Sequence, residues 1–512
     1  MLQLKNISLS MKKDLRELIT GLDLVLNKGD KAAIVGEEGN GKSTLLKLIY
    51  DESLIEPYVQ YSGEVQKKGL ILGYLSQELT EAEKSMTAYE FCSAEDAFLD
   101  STPGEVAAVC AKMQIGPEML YSDRTLATFS GGEKVKLRMA LLMLKKPDVL
   151  LLDEPSNDLD IQTLQWMEKF IAETEQAVLF ISHDELLLEN TANMIIHVEL
   201  LRKKRLPRHT VIKIGYRSYV EERLRSFAHQ EQLADKEHAD FRKKQERYQQ
   251  IYQKVNHAQA TNTRQDPHTG RLLKKKMKAV KSLGRRMDKQ EEELTQRPDA
   301  EEAILAFFEE DIRIPQGKTV LDFSLSPLTV DGRTLCDNIH LIVKGPEHIG
   351  IFGRNGVGKT TLLKIIADEL LPRRDIKAAY MPQEYLESMD MRLTPVEFLA
   401  SSSEKEELTR VRTYLGSMKY TVEECDHCLR ELSGGQKAKL FFSKMILDGN
   451  NVLVLDEPTR NFSPLSSPVI RSILTQFGGA IISVSHDRKY LREVCTMLYE
   501  LEQSGLHRIN GI

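Results

Sequence analysis

At 512 residues and 58.3 kDa the chain is longer than one hydrophobic core supports, and roughly 100–200 residues per domain predicts three or four units. It is 41% apolar and 29% charged, with six cysteines. No apolar run approaches the ~20 residues needed to cross a bilayer, and the cysteines are too sparse for a disulfide scaffold, so a membrane-spanning chain and a secreted stapled fold are excluded in favour of a soluble, cytoplasmic protein. The net charge of −6 hides a split: Arg202 to Pro298 holds 26 Lys+Arg against 12 Asp+Glu, net +14, which leaves −20 for the remainder.

The start, MLQLKNISLS, enters an alternating strand pattern at once, which predicts no secretory leader. An apolar strand, KAAIV, then leads into GEEGNGKST (Gly36 to Thr44) and an apolar helix. Gln77 follows in GYLSQE, and Ser130, Gly131 and Gly132 open a helix in FSGGEK. VLLLDEP reads as a buried parallel strand ending in Asp153 and Glu154, and LFISHD as another ending in His183. Beyond this the period changes to seven. Val220, Phe227, Ala234, Phe241, Tyr248 and Val255 form one seam, flanked by Leu224 and Tyr252, and Leu273, Val280, Met287 and Leu294 form a second. Two long helices are predicted. The first has about 38 residues and spans on the order of 55 Å, and the pair forms an antiparallel hairpin with its tip at roughly Asn256 to Leu272.

The first series of motifs then recurs in the same order: EHIGIF, GRNGVGKTT (Gly353 to Thr361), Gln383 in AYMPQE, Ser433, Gly434 and Gly435 in LSGGQK, Asp456 and Glu457 in VLVLDEP, and His486 in IISVSHD. Ser130 to Asp153 and Ser433 to Asp456 are both 23 residues, and Glu154 to His183 and Glu457 to His486 are both 29. The copies differ upstream, where the first carries 14 extra residues between its loop lysine and its SGG, 11 of them before Gln77. The chain is therefore read as repeat 1–216, hairpin linker 217–300 and repeat 301–512.

The glycine-rich loops are phosphate cradles, because glycines let backbone N–H groups converge on an anion at a helix N-terminus. The candidates are Gly36, Gly39, Asn40, Gly41, Lys42, Ser43 and Thr44 in the first copy. In the second they are Gly353, Asn355, Gly356, Gly358, Lys359, Thr360 and Thr361. Lys42 and Lys359 reach the β- and γ-phosphates, and Ser43 and Thr360 ligate Mg²⁺ in this motif. Asp153 and Asp456, at the carboxyl ends of buried parallel strands where ligands of such sheets lie, are placed to hold Mg²⁺ through water. Glu154 and Glu457 are placed to orient or deprotonate the attacking water. The repeated offset from these glutamates makes His183 and His486 candidates to contact the γ-phosphate or that water. Gln77 and Gln383 carry less signal alone, and count here as candidate nucleotide and Mg²⁺ contacts. SGG at a helix start offers a hydroxyl, close-approach backbone and a positive dipole end, although a plain N-cap has the same composition.

Together these motifs resemble the ATP-binding cassette superfamily, SGG being its signature loop. Two cassettes on one chain with a charged helical linker resemble the ABC-F family of ribosome-associated ATPases. The resemblance implies an α/β fold, two ATP-binding cassette (P-loop NTPase) domains in tandem joined by a long α-helical hairpin, and ATP hydrolysis with Mg²⁺. It also implies intramolecular head-to-tail pairing in a monomer. The loop at Lys42 would then face Ser433, Gly434 and Gly435, and the loop at Lys359 would face Ser130, Gly131 and Gly132. The first copy reads EPSNDLD, close to the family's EPTNHLD. The second reads EPTRNFSPLS, with Ser463 where Asp160 stands, so the two sites are expected to differ. Phe129 replaces the usual leucine before SGG. Neither copy shows an aromatic for adenine near Met11 or Val330. EPTRNF is similar to the antibiotic-resistance branch of the family, which protects ribosomes from drugs near the peptidyl transferase centre.

From Arg264 to Arg286 there are nine Lys+Arg (Arg264, Arg271, Lys274, Lys275, Lys276, Lys278, Lys281, Arg285 and Arg286) against Asp266 alone. A spacer does not need such charge, whereas structured RNA rewards it by counterion release. The resemblance implies that this linker enters the ribosomal E site and acts on large-subunit rRNA, P-site tRNA and drug. Two rival readings are a translation factor without a resistance role and the ATPase subunit of a membrane transporter; no membrane subunit is expected. Cys425 and Cys428 form a CxxC without a second ligand pair nearby and are read as incidental thiols.

Overall fold

The computed structural model describes every residue except 158, 201–205, 262–266, 293–311, 331, 384–388, 419, 433, 461, 510 and 512, with backbone alone at 259, 261, 267–270, 288–292, 417, 434, 435, 438, 439 and 446. Two compact units emerge, one made of Met1–Tyr216 with Glu301–Ile512 and the other of Arg217–Ala300.

In the first repeat, β1 (Leu2–Met11) and β2 (Glu17–Leu26) pair antiparallel and β3 (Lys31–Val35) is fully buried. The loop after β3 leads into α1 (Lys42–Tyr50). Strand β4 (Val59–Gln66) returns to pair with β1 and accounts for the extra residues before Gln77. After β5 (Leu72–Leu75), short helices and α2 (Gly131–Leu144) enclose a separate core containing Phe98, Val106, Leu120 and Leu141. Then follow β6 (Val149–Asp153), α3 (Ile161–Glu173), β7 (Ala177–Ile181), α4 (Glu185–Thr191), β8 (Met194–Leu200) and β9 (Leu206–Ile212). The main sheet runs β5-β6-β7-β3-β8-β9, parallel except for β9. β3, β6 and β7 are buried along their whole length, which is why they read as continuous apolar runs without alternation.

The second unit contains α5 (Tyr216–Thr261), most of which lies in it, and α6 (Pro267–Glu292). At 46 residues α5 exceeds the expected 38. The expected tip, Asn256 to Leu272, is largely helical on both sides, because nothing from Asn256 to Thr261 breaks a helix and Pro267 is pre-organised for a first turn. Gly284 lies so close to Tyr248 that a Cβ would stand 2.6 Å from its hydroxyl, which fixes the antiparallel pairing. The seam residues Ala234, Phe241, Val280 and Met287 are buried, whereas Leu224 is 62% exposed; Leu294 lies outside the described residues.

The second repeat begins with β10 (Thr319–Leu325), β11 (Leu328–Val330), β12 (Arg333–Cys336), β13 (Ile339–Lys344) and β14 (His348–Phe352), then α7 (Lys359–Leu370) and β15 (Ala378–Met381). It continues through α8 (Gly434–Leu447), β16 (Val452–Asp456), α9 (Ser467–Thr475), β17 (Ala480–Val484), α10 (Arg488–Glu493), β18 (Met497–Glu502) and β19 (Gly505–Ile509). Its sheet, β15-β16-β17-β14-β18-β19, repeats the first order strand for strand. Cys425 packs into the core of this repeat.

The repeats meet along a buried charged seam. Glu168, Asp184, Glu185 and Glu189 of the first face Arg471, Arg488 and Lys489 of the second. Arg471 grips both oxygens of Glu185 at 2.5 and 3.1 Å, and Lys489 reaches Glu185 at 3.0 Å and Glu189 at 2.7 Å. Arg488 bonds Glu168 and lies 3.6 Å from Asp184.

Candidate functional site

Each phosphate loop joins the end of a central strand to a helix. Gly36 and Gly353 have φ of 145° and 153°, and a Cβ there would meet Val198 O at 2.2 Å or Leu501 O at 2.4 Å. Only glycine fits so close to the neighbouring strand. Lys42 donates to the carbonyls of Gly36 and Glu37 at 2.7 and 2.9 Å. Lys359 does the same with Gly353 and Arg354, both at 2.9 Å. Burial lowers the pKa of both lysines, a cost that phosphate charge offsets. Asn40 donates to Val198 O at 3.1 Å and braces the first loop.

Ser43 and Asp153 are brought together across 110 residues, the hydroxyl donating to Oδ1 at 2.8 Å. Tyr74, which the motifs did not single out, donates to Oδ2 at 3.3 Å. Both carboxylate oxygens of Asp456 are buried without a well-formed hydrogen bond, and burial pushes its pKa up to about 6 against the pull of the nearby Thr360 hydroxyl. Buried anionic oxygens beside a hydroxyl-bearing loop are a donor set suited to a hard divalent cation, so the residues fit Mg²⁺. Among the described residues no cluster of three His, Cys, Asp or Glu forms a separate metal site.

Glu154 and Glu457 both have φ of 51°, a left-handed backbone that a glutamate adopts only at a cost and that is concentrated at functional sites. Each is locked by its own N–H donating across the sheet, to Ile181 O at 3.1 Å and to Val484 O at 2.9 Å. Their side chains differ. On Glu154, Gln77 donates to Oε2 at 3.1 Å and Asn157 to the same oxygen, and His183 Nε2 lies 3.2 Å from Oε1. Burial alone would raise this carboxyl, but the His183 hydrogen bond and charge bring it down to about 2. His183 Nδ1 lies 3.0 Å from Phe462 O of the other repeat. A carbonyl only accepts, so Nδ1 is the donor in this bond. Glu457 instead accepts from the Ser485 hydroxyl at 3.3 Å and the His486 N–H at 3.2 Å. His486 Nε2 is 3.9 Å away and its Nδ1 is buried without a partner. Burial and the adjacent Asp456 raise Glu457, while burial and Lys359 bring His486 down to about 3.

A cavity of about 720 Å³ gathers residues from both repeats: Lys359, Thr360, Gln383, Asp456, Glu457 and His486 from the second, and Gly131, Lys134 and Arg138 from the first. Asn355, Gly356, Gly358 and Thr361 line it, as do His183 and Gln77. Ser130 caps α2, accepting from the Glu133 N–H at 3.2 Å, and Gly132 packs on Thr163, whose hydroxyl would lie 2.7 Å from a Cβ. Val330 and Leu335 are apolar walls, and among the described residues no Phe, Tyr or Trp lines the cavity. Ser433 lies outside the described residues, and α8 opens on Gly434 and Gly435. Asp160 caps α3 by accepting from Thr163 N–H at 2.9 Å. Ser463 is buried and bonds Ser466, and α9 starts one turn later. Asn157 stood beside a candidate glutamate in EPSN, and its position was the available signal. The bond to Phe462 spans 279 residues and had none.

In the second unit, Arg271, Lys274, Lys275, Lys276, Lys278, Lys281, Arg285 and Arg286 are all exposed on α6, and Arg264 lies outside the described residues. No described helix is long and apolar enough to cross a membrane.

The family described as "ABC transporter" matches residues 19–157 and 336–460, just over half of the chain. Human ATP-binding cassette sub-family F member 3 is 28% identical across 97% of this chain and 71% of its own. The probable ATP-binding protein YheS of Escherichia coli is 26% identical across 98% and 79%. A crystal structure of archaeal ribosome recycling factor aABCE1, in complex with ribosomal stalk protein aP1, has the same fold, with a TM-score of 0.59 at 18% identity over 98% of this chain and 90% of that one. With duplicated phosphate loops, paired carboxylates and a cavity built from both repeats, the chain belongs to the ATP-binding cassette family as a two-cassette ATPase, and its similarity over nearly the full length is to sub-family F proteins.

Proposed function

We propose that this ATPase acts on the ribosome, closing on ATP, docking through its basic hairpin, displacing an antibiotic from near the peptidyl transferase centre, and leaving after hydrolysis. The observation that carries the reading is the face of eight exposed Lys and Arg side chains on α6, a density of charge suited to phosphate contacts with folded RNA. These side chains, together with Arg264, are the proposed contacts to large-subunit rRNA and P-site tRNA. The sequence EPTRNF is the ground for the resistance role, and the likeness to a recycling factor carries ribosome association to this chain as part of the proposal.

In the cycle, Lys42 and Lys359 bind the β- and γ-phosphates with the surrounding loop N–H groups. Ser43, Asp153 and Gln77 in one site and Thr360, Asp456 and Gln383 in the other would hold Mg²⁺, which would screen phosphate charge. Glu154 and Glu457 orient the attacking water and take its proton, with His183 and His486 beside them. Gly131 and Gly132 with Ser130, and Gly434 and Gly435 with Ser433, close each site from the opposite cassette. ATP thereby joins the cassettes, and loss of the γ-phosphate contacts reopens them.

A translation assay with several peptidyl-transferase inhibitors tests this: the protein restores synthesis in the presence of drug, and deleting 256–272 abolishes the rescue while ATPase activity survives. Unchanged rescue by the deletion variant would remove the hairpin from the mechanism. Binding to 50S or 70S particles with no relief of any inhibitor would favour a translation factor without a resistance role. Failure to bind ribosomes in ATP, with co-purification of a membrane permease, would replace both readings with a transporter subunit.

A further inference from the structure

The turns after the paired carboxylates share a backbone hydrogen bond and differ in chemistry. Asn157 and Arg460 each stand three residues past the glutamate and donate their backbone N–H to its carbonyl, at 3.2 and 3.1 Å. In the first cassette the Asn157 amide is committed to the Glu154 carboxylate. In the second cassette Ser485 and the His486 N–H occupy Glu457 instead, and Arg460 lines the shared cavity beside Lys359, Thr360, Asp456, Glu457 and His486. Its charge acts on Asp456, Glu457 and His486 together, which come from the ends of two adjacent strands, β16 and β17. Arg460 thus lines the same cavity as the residues at these two strand ends. That is where the outermost phosphate of a nucleotide cradled by the Lys359 loop arrives.

We infer that Arg460 is a phosphate-contacting residue of the second composite site and selects the triphosphate over the diphosphate there. The inference rests on reading this cavity as an ATP site. An always-charged planar fork matches phosphate oxygens bidentately, which an asparagine amide cannot do. A γ-phosphate entering next to Asp456 and Glu457 meets two carboxyl groups, and a fixed cation between them offsets the repulsion. ADP places no group there and gains nothing from the arginine. The first site, with Asn157, lacks this preference, so the two sites differ in how long they hold ATP.

The test uses the full chain carrying Lys42→Ala, which silences the first site, titrated with fluorescent β,γ-imido-ATP and fluorescent ADP in Mg²⁺. Arg460→Asn lowers affinity for the imido-triphosphate about tenfold, equivalent to about 1.4 kcal/mol, and changes ADP affinity less than twofold. Arg460→Lys, which keeps the charge but not the fork, retains only part of the preference, and Arg460→Gln gives the same comparison with a longer side chain if the asparagine variant melts early. Equal losses for both nucleotides mean a structural role and overturn the inference, as does no loss for either. Lys359→Ala separates the two levels. If it leaves binding intact, the reading of the cavity as an ATP site fails. If it abolishes binding while the arginine variants keep the wild-type ratio, only the role of Arg460 is lost.

Discussion

Replacing Arg471 with methionine removes the central cation of the seam between the cassettes. The Arg471 and Glu185 side chains are 4% and 5% exposed and share two hydrogen bonds, so the substitution leaves a carboxylate facing the second cassette in a site with little water. Removing one partner of a buried pair costs about 3–5 kcal/mol. Lys489 remains 3.0 Å from Glu185, which places the expected cost near 3 kcal/mol by the same rule. For folding units of this size that lowers the first melting transition by about 6–12 °C. The chain has one tryptophan, Trp166, which is 6% exposed and two residues from Glu168 on α3, so its fluorescence during urea unfolding reports on this side of the seam. Arg471→Met with Glu185→Leu removes both charges and recovers at least half of the loss, because no unpaired charge is left buried. The effect persists in 0.5 M salt, since buried pairs are poorly screened. A single variant costing under about 1 kcal/mol, or a double variant equal to the sum of the singles, refutes the assignment of the seam as a coupled buried network.

Three further outcomes are expected. Glu154→Gln with Glu457→Gln lowers ATP hydrolysis at least about 100-fold while ATP is retained and the protein stays on ribosomes; free sedimentation of this variant in ATP contradicts the cycle. Asp184 is raised to about 6, chiefly by burial and against the pull of Arg488. An acid whose folded pKa lies above its unfolded value of about 3.9 contributes stability below that value and loses it as pH rises through 6. Asp184→Asn, which keeps an oxygen for the Leu187 N–H, should therefore flatten the fall in urea midpoint between pH 4 and 6.5, and equal slopes in wild type and variant would count against it. Lys274, Lys275 and Lys276 changed together to glutamate reduce the slope of log affinity for ribosomal particles against log salt by about three, and an unaltered slope means that these side chains do not touch phosphate.

Much of the site was legible because its parts are local. GEEGNGKST and GRNGVGKTT carry loop glycines, lysine and hydroxyl within nine residues, and the geometry of a phosphate cradle requires them to be contiguous. The buried strands β6 and β16 were legible for the same reason, being continuous apolar runs that end in charge. The hairpin was legible as a period of seven, but its turn was read too long, since the polar residues beyond Asn256 continue the helix and polarity alone does not end one. The difference between the two sites was visible as Asp160 against Ser463 and Asn157 against Arg460. What that difference does to the glutamates depends on Asn157, Ser485 and the tilt of two histidines.

The sequence by itself determined the duplicated cassettes, the order of their motifs and the cationic hairpin, because each depends on residue types at short fixed spacings that chain stereochemistry converts directly into strand, loop and helix. Only the tertiary structure decided which groups face one another: Phe462 O on His183, Arg471 on Glu185, Gly131 across from Lys359. These partners lie hundreds of residues apart and are joined by burial and charge at a packed interface, for which no local spacing carries a signal.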